Sequence, residues 1–255
     1  MGKRSKIAWT DSTWNPVTGC SRVSLGCLNC YALPLAERLK AMGLPSYQNG
    51  SRLTIHENLV DLPLKWKSPR TIFVNSMSDL FHEEVPDDFI FQVFDTMHRA
   101  DWHFYQILTK RSEQLLKLDP RLRWGPHILM GVTVEDSDYL SRIDDLRKTH
   151  AVTKFISFEP LLGPIPNLDL EGIHWVIVGG ESGKRARPMQ PEWALEIRDQ
   201  CLSAKIPFFF KQMGGRDKEK GGRFLDGIIY EERPEVLSKN ENHCHNIHYE
   251  LRKLC

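Results

Sequence analysis

Short apolar segments rich in β-branched and aromatic residues recur along the chain, and segments with helical periodicity separate them. Because these apolar segments lack polar alternation, they are typical of strands buried on both faces, as in a parallel sheet. Seven segments have this character: residues 14–18, 71–75, 104–109, 128–133, 154–158, 175–178 and 207–211. The pattern therefore favours folds built around one parallel sheet.

The segments between these predicted strands favour helices. Residues 86–99 begin with a proline and two acidic residues, which suit a helix N-terminus, and then place apolar residues at helical intervals. Similar patterns occupy residues 112–118, 139–148 and 191–202. Alternating strands and helices predict an α/β protein, a full or partial (β/α) TIM-like barrel with parallel strands. An open doubly wound sheet is the alternative, and in both folds functional groups lie in the loops after the strands.

Length and composition suit a single barrel, since the chain has 255 residues and 41% of them are hydrophobic. We expect the barrel over residues 1–213 and a C-terminal hairpin and polar tail over residues 214–255, where glycine and charged residues become frequent. Neither an apolar run of about 18 residues nor an apolar signal core occurs, so a cytoplasmic, soluble protein is predicted. The net charge of +1 excludes a strong overall positive field, so any nucleic-acid contact must be a local patch.

Three of the six cysteines, Cys20, Cys27 and Cys30, lie within eleven residues after the first predicted strand. Three thiolates on one loop can bind three irons of a cubane cluster and leave the fourth iron open. Zinc is the alternative metal, and a structural zinc site would need a fourth ligand such as His56 or a tail residue. The tail carries ligand types at irregular spacing, which is more typical of a frayed terminus: His243, Cys244, His245, His248 and Cys255. Cys201 lies in a predicted amphipathic helix and is expected to be buried in the protein core.

The loop over residues 19–31 resembles the cluster-binding loop of the radical S-adenosylmethionine superfamily, with the first cysteine spacing lengthened from three residues to six. Residues 27–32 resemble the corresponding segment of spore photoproduct lyase and its relatives. The chain to about residue 230 also resembles a phage- and bacteria-associated family of three-cysteine proteins. The segments that carry this second resemblance are residues 14–20, 107–111, 158–162, 179–183 and 209–212.

The resemblance implies a 4Fe-4S cluster on the three cysteines and S-adenosyl-L-methionine as the cofactor from which a 5′-deoxyadenosyl radical is made. It also implies a nucleic acid or nucleotide as the substrate, for modification or DNA repair, and an electron donor such as flavodoxin or ferredoxin. The alternative from another class is a zinc-stabilised nucleic-acid-binding or accessory protein without redox chemistry. No oligomeric state is predicted.

Polar residues at the ends of the second and third predicted strands are candidates for the same site. Asn75, Ser78 and Asp79 are predicted to bind the methionyl amine or ribose hydroxyls of the cofactor, with a polar turn as the alternative. Thr109 is a further candidate for cofactor binding. Lys110 is a candidate catalytic residue that would meet a carboxylate or phosphate, although an isolated cation after a strand is more often a solvated helix start.

Later strand ends complete the predicted ring of polar groups. Glu159 is a candidate catalytic carboxylate, and because it lies in an apolar run it requires a ligand or a lysine as its partner. A glycine-rich, cationic segment after the sixth predicted strand is interpreted as an anion-binding loop, with a structural turn as the alternative. Its predicted cofactor-binding residues, together with the lysine that ends the last strand, are Gly179, Gly180, Glu181, Ser182, Arg187 and Lys211. The ring is extended by Thr133, Glu135, Asp136 and Ser157.

Overall fold

Nine strands occur in the computed structural model, which describes Ser5 and residues 7–216 and 222–237. In chain order they are β1 (Ser12–Trp14), β2 (Val17–Thr18), β3 (Thr54–Ile55), β4 (Thr71–Val74), β5 (Phe104–Thr109), β6 (Ile128–Thr133), β7 (Thr153–Phe158), β8 (Trp175–Gly179) and β9 (Phe208–Gln212). The strands β2 and β3 form a short antiparallel pair, and the other seven form one parallel sheet.

Five α-helices connect these strands: α1 (Ala32–Ala41), α2 (Asp87–Arg99), α3 (Ser112–Leu118), α4 (Ser141–Lys148) and α5 (Pro191–Ala204). Helix α2 begins with Asp87 and Asp88 and ends with His98 and Arg99, so charges at both ends complement the helix dipole. Helix α1 was not predicted, because it buries only the small residues Ala32 and Ala36 and its apolar face is therefore weak.

The sheet order β1-β4-β5-β6-β7-β8-β9 follows the chain order without reversal. Since parallel crossovers are right-handed, this order places the connecting helices on one face, and the sheet curls into a half-barrel. The prediction of a partial (β/α) barrel is confirmed. The doubly wound alternative is wrong, because that fold requires a point at which the strand order reverses.

The concave face of the sheet is filled by large side chains. Trp9, Phe73, Phe155, Trp175 and Phe209 belong to one buried cluster there. A glycine is required beneath them, since a Cβ at position 131 would lie 2.5 Å from a phenyl ring of the cluster. A filled interior of this kind leaves the carboxyl ends of the strands as the place for chemistry.

Residues 222–237 of the predicted C-terminal extension pack against the barrel. Glu231 forms an antiparallel bridge with Phe209 of β9, a second bridge joins Leu225 to Ile228, and Leu237 reaches the concave cluster. The division at residue 214 stays a prediction, and the cysteines and histidines of the tail lie outside the described residues. Within the described part of the chain, no helix is long and apolar enough to cross a membrane.

Candidate functional site

The cysteine loop, residues 19–31, leaves β2 and enters α1 at the carboxyl edge of the sheet. Cys20 and Cys30 are partly exposed, Cys27 is buried, and all three are free thiols. The loop enters through Gly19, whose φ of 79° and lack of a Cβ are both needed, because a Cβ would lie 2.1 Å from the carbonyl oxygen of Arg52. A single 3₁₀ turn, Leu25–Cys27, then forms its centre.

The Cys20 end of the loop is held by Arg111, a buried residue between β5 and α3. Its Nη1 lies 3.8 Å from Cys20 Sγ, and its Nη2 donates to Ser21 Oγ at 2.8 Å. His82 Nε2 also lies 2.8 Å from Ser21 Oγ. Because the backbone N–H of Glu84 donates to His82 Nδ1, the ring proton is on Nε2 and is donated to Ser21. We call this set the Cys20 clamp: Arg111, Ser21, His82, Asp79 and Glu83.

Two carboxylates balance the cation of the Cys20 clamp. Asp79 Oδ2 lies 3.1 Å from Arg111 Nη1, and Glu83 Oε2 lies 2.8 Å from Arg111 Nε. Asp79 also accepts hydrogen bonds from the Thr109 hydroxyl at 2.8 Å and the Lys110 backbone N–H at 3.1 Å. The structure therefore engages both Asp79 and Thr109, which were predicted to bind a cofactor, in orienting Arg111.

The environment of Cys20 keeps its thiol protonated. Burial and the Asp79 carboxylate raise the pKa of Cys20 to about 11, although Arg111 acts in the opposite direction. A metal ion binds the thiolate, so metal binding at Cys20 must displace this proton.

The Cys27 end of the loop is held by Glu135, a fully buried carboxylate after β6. Ser24 Oγ donates to Glu135 Oε1 at 2.5 Å and lies 3.6 Å from Cys27 Sγ. Lys110 Nζ lies 3.1 Å from Oε1, and Arg142 Nη1 lies 2.8 Å from Oε2. We call this set the Cys27 clamp.

The ionised state of Glu135 and the small size of Gly26 both stabilise the Cys27 clamp. Burial by itself raises the pKa of Glu135, but Lys110, Ser24 and Arg142 outweigh it and lower the pKa below the ordinary value. Gly26 packs directly on the carboxylate, since a Cβ there would lie 2.4 Å from Glu135 Cγ. Lys110, predicted to be catalytic, is thus an ion-pair partner of a residue that holds the loop.

The segment after β8 supports the loop from a third side. Arg187 Nη2 donates to the Leu25 carbonyl at 3.0 Å. Glu181 pairs with Arg187 at 2.6 Å and accepts from Asn29 Nδ2 at 3.0 Å. Burial acts to raise the pKa of Glu181, but the hydrogen bonds from Arg187 prevail and lower it. Two predicted cofactor-binding residues, Glu181 and Arg187, therefore contact the cysteine loop itself.

The glycines of this segment permit close packing between two loops. A Cβ on Gly180 would lie 2.0 Å from the Met213 carbonyl oxygen, and one on Gly179 would lie 2.9 Å from Glu159 Oε1. Ser182 accepts a hydrogen bond from Gln212 Nε2 at 2.9 Å. These contacts are enough to explain why glycine occupies both positions. They agree with the alternative interpretation of this segment as a structural turn. The anion-binding role stays a prediction.

A further ion pair at the strand ends is partly open to solvent. Lys211 Nζ lies 2.6 Å from Glu159 Oε1, and the Ser157 hydroxyl donates to Glu159 Oε2 at 3.1 Å. The lysine partner expected for Glu159 is therefore Lys211. Tyr31, half-exposed directly after Cys30, donates its hydroxyl to the Ser76 carbonyl at 2.7 Å.

Asn75 and Ser78 hold the chain that leads into the cysteine loop. Asn75 Oδ1 accepts from the Val17 N–H at 3.2 Å, and the Ser78 hydroxyl donates to the Val17 carbonyl at 2.8 Å. Asn75 is buried with a left-handed φ of 58°, and its Nδ2 has no hydrogen-bond partner among the described residues. Asn75, unlike Ser78, therefore keeps an unused hydrogen-bond donor that could bind a ligand.

The model of a family described as a protein of unknown function, DUF5131, matches residues 4–234. The chain belongs to the DUF5131 family. A solved structure of a spore photoproduct lyase, complexed with dinucleoside spore photoproduct, is similar to the DUF5131 chain with 11% identity and a TM-score of 0.46. The match covers 70% of this chain and 58% of the lyase chain, so this chain spans less than two thirds of that protein. A comparison with curated proteins found no match.

The three cysteines of the DUF5131 chain are not gathered around a single point in the described structure. In residues 7–216 and 222–237, no three His, Cys, Asp or Glu side chains are arranged to hold a metal ion. In a cubane cluster each iron takes its own thiolate, so the three cysteines do not have to converge on one atom. His56, the suggested fourth zinc ligand, has its Nε2 2.8 Å from Thr18 Oγ1.

Several residues that hold the cysteine loop were not predicted as cofactor-binding or catalytic residues: Ser21, Ser24, Asn29, His82, Glu83, Arg111 and Arg142. The sequence carries one signal for the Cys27 clamp to which Ser24 and Arg142 belong. Gly26, directly before the second cysteine, indicates a close approach to another group, and that group is Glu135.

Proposed function

We propose that this chain is an iron–sulfur enzyme of the radical S-adenosylmethionine type. Cys20, Cys27 and Cys30 would hold a 4Fe-4S cluster. The observation that carries the proposal is the presence of three free thiols on one loop, tied at the carboxyl edge of a parallel half-barrel. When bound and reduced, such a cluster would supply the single electron needed to cleave a carbon–sulfur bond of S-adenosylmethionine.

The chain's own residues divide into two groups in this proposal. Five residues would act through the loop, since each contacts either the loop itself or a residue that holds it: Lys110, Asp79, Thr109, Glu181 and Arg187. A second group would contact cofactor or substrate directly: Asn75, whose buried Nδ2 has no partner among the described residues, and the partly exposed Glu159 and Lys211, with the buried Ser157 bonded to Glu159. Gly179, Gly180 and Ser182 would shape the edge of this site, since they let the segment after β8 pack closely against Glu159 and the end of β9.

Glu159 and Lys211 are the best candidates for direct contact. The pair is partly exposed, so an incoming ligand can compete for either partner: an amine or hydroxyl for Glu159, a carboxylate or phosphate for Lys211. The buried aromatic cluster on the concave face of the sheet would exclude water from the barrel interior and so protect a reactive intermediate.

For the substrate we propose a nucleotide or a short nucleic-acid segment, modified or repaired at one position. A phosphate of such a substrate would replace Glu159 as the partner of Lys211. The net charge of +1 does not favour tight binding of a long duplex.

The decisive experiment is a metal analysis after anaerobic purification. The proposal expects about four iron and four sulfide ions per chain, whereas stoichiometric zinc without iron would leave the zinc-stabilised accessory protein as the function. Cys27→Ala should lose the iron, and Cys201→Ala, a buried cysteine in α5, should keep it. Full retention of iron in Cys27→Ala would refute the ligand assignment.

Catalysis is tested separately on the iron-loaded protein. Reduction in the presence of S-adenosylmethionine should release 5′-deoxyadenosine, measured by liquid chromatography. A fully loaded cluster that releases none would exclude radical initiation while leaving the cysteines as cluster ligands.

A further inference from the structure

The outer side of the cysteine loop presents three large apolar side chains to solvent. In the 3₁₀ turn, residues three apart share a face, so Leu25 and Leu28 point outward while Ser24 and Cys27 point inward. Leu25 and Leu28 are each 49% exposed and Val23 is 41% exposed. We call these three residues the loop patch.

Hydrogen bonds hold the backbone of the loop patch in place. The Leu25 N–H donates to the Tyr139 hydroxyl at 3.1 Å, and the Leu25 carbonyl accepts from Arg187 at 3.0 Å. The turn is thus tied on both sides, and its leucines remain at the surface. Clustered apolar side chains held at a surface in this way mark a site of interaction.

Cations flank the loop patch. Arg22 precedes Val23, and the Arg185 carbonyl accepts from Asn29 Nδ2 at 2.9 Å, which places the exposed Lys184 and Arg185 beside the loop. Among the described residues, none of these three cations forms an ion pair. The nearby Glu83 is itself paired with Arg111. An apolar centre with cationic flanks complements a partner that has an acidic face.

The position of the patch suggests the kind of partner. Cleavage of one S-adenosylmethionine consumes one electron, which must come from outside the chain and enter close to the cluster. The loop patch is the solvent side of the same turn whose inner side carries Cys27. We propose that the loop patch is the docking surface for an acidic one-electron donor protein, an inference that rests on the proposed function. In the step it serves, the donor loses one electron and the cluster gains one.

The test compares a protein reductant with a small one. Leu25→Glu and Leu28→Glu replace apolar contacts with charges that repel an acidic donor, and Val152→Glu, 52% exposed just before β7, is the matched control. Binding of oxidised flavodoxin and ferredoxin is measured by calorimetry, and cluster reduction is followed by its absorbance. We expect binding to weaken at least about tenfold in the two loop variants. Reduction by the protein donor should slow, and reduction by dithionite should match the wild type.

Arg185→Glu is a third variant, which changes charge at an exposed position. Its circular dichroism spectrum is first compared with that of the wild type, to show that it folds. It should weaken donor binding most at low salt. Unchanged donor binding in all three variants would overturn the inference and leave the proposed function intact. An equal slowing with dithionite, or loss of oligonucleotide binding in place of donor binding, would also overturn it. Zinc without iron in the wild type would instead remove the proposed function.

Discussion

The two clamps of the cysteine loop are built with opposite charges. In the Cys20 clamp a buried cation, Arg111, lies between the carboxylates of Asp79 and Glu83. In the Cys27 clamp a buried anion, Glu135, lies between the cations of Lys110 and Arg142. The segment between the two cysteines is therefore fixed at both ends by a buried charge with more than one counter-ion.

The difference between the clamps lies in what remains when the central charge is removed. Asp79 keeps three hydrogen-bond donors without Arg111: the Phe81 N–H, the Thr109 hydroxyl and the Lys110 N–H. Lys110 and Arg142 lose their common counter-ion without Glu135. The Cys27 clamp should therefore be the more sensitive of the two, because uncompensated buried charge is costly.

Glu135→Gln should have the largest effect. The amide can still accept a hydrogen bond from Ser24, but Lys110 and Arg142 are left as two neighbouring cations. We expect the free energy of unfolding of the metal-free protein to fall by about 3 kcal/mol, measured by denaturant unfolding. Glu171→Gln, at an exposed position, is the control and should change it by less than about 0.5 kcal/mol. A similar small change in both variants would contradict the clamp.

The pH dependence of the free energy of unfolding, compared between the wild type and Glu135→Gln, gives an independent check of the Cys27 clamp. The pKa of Glu135 lies below its ordinary value of 4.5 in the folded state, so its ionised form stabilises the fold above that value. This contribution is lost as the pH falls through the folded-state pKa. The stability difference between wild type and Glu135→Gln should accordingly narrow below a pH of about 4.5.

Arg111→Gln should have a smaller effect, although Arg111 contacts a cysteine directly. Asp79 keeps its three donors, and Ser21 keeps the hydrogen bond from His82. We expect a loss of about 2 kcal/mol in the free energy of unfolding. Arg121→Gln, which breaks an ion pair with Asp87 at the surface, is the control and should cost less than about 1 kcal/mol. A loss larger than that of Glu135→Gln would reverse the comparison.

The sequence was sufficient for most of the fold. The strands at residues 104–109 and 128–133 and the helix at residues 112–118 have the predicted bounds, because uninterrupted apolar runs and helical periodicity are local signals. The first predicted strand is divided into β1 and β2, since Pro16 cannot donate to a strand ladder.

The partners within the site were not predictable in the same way. Lys110 and Arg111 are neighbours in sequence, yet one pairs with Glu135 and the other with Asp79 and Glu83. Which carboxylate meets which cation depends on the order and curvature of the strands, and no local pattern encodes it. A strand-end charge can therefore be located from sequence, while its role as ligand contact or loop support requires the fold.

Ser24→Ala should give the smallest effect and the most local one. It removes the hydroxyl that joins Glu135 to the turn carrying Cys27 and leaves both cations in place. We expect a loss of about 1 kcal/mol and faster hydrogen exchange confined to the cysteine loop of the metal-free protein, measured by mass spectrometry. Ser203→Ala, on the exposed side of α5, should leave the loop's exchange unchanged. Because the measurement needs no cluster, faster exchange spread over the whole barrel would show that Glu135 supports the fold at large and does not act specifically on the loop.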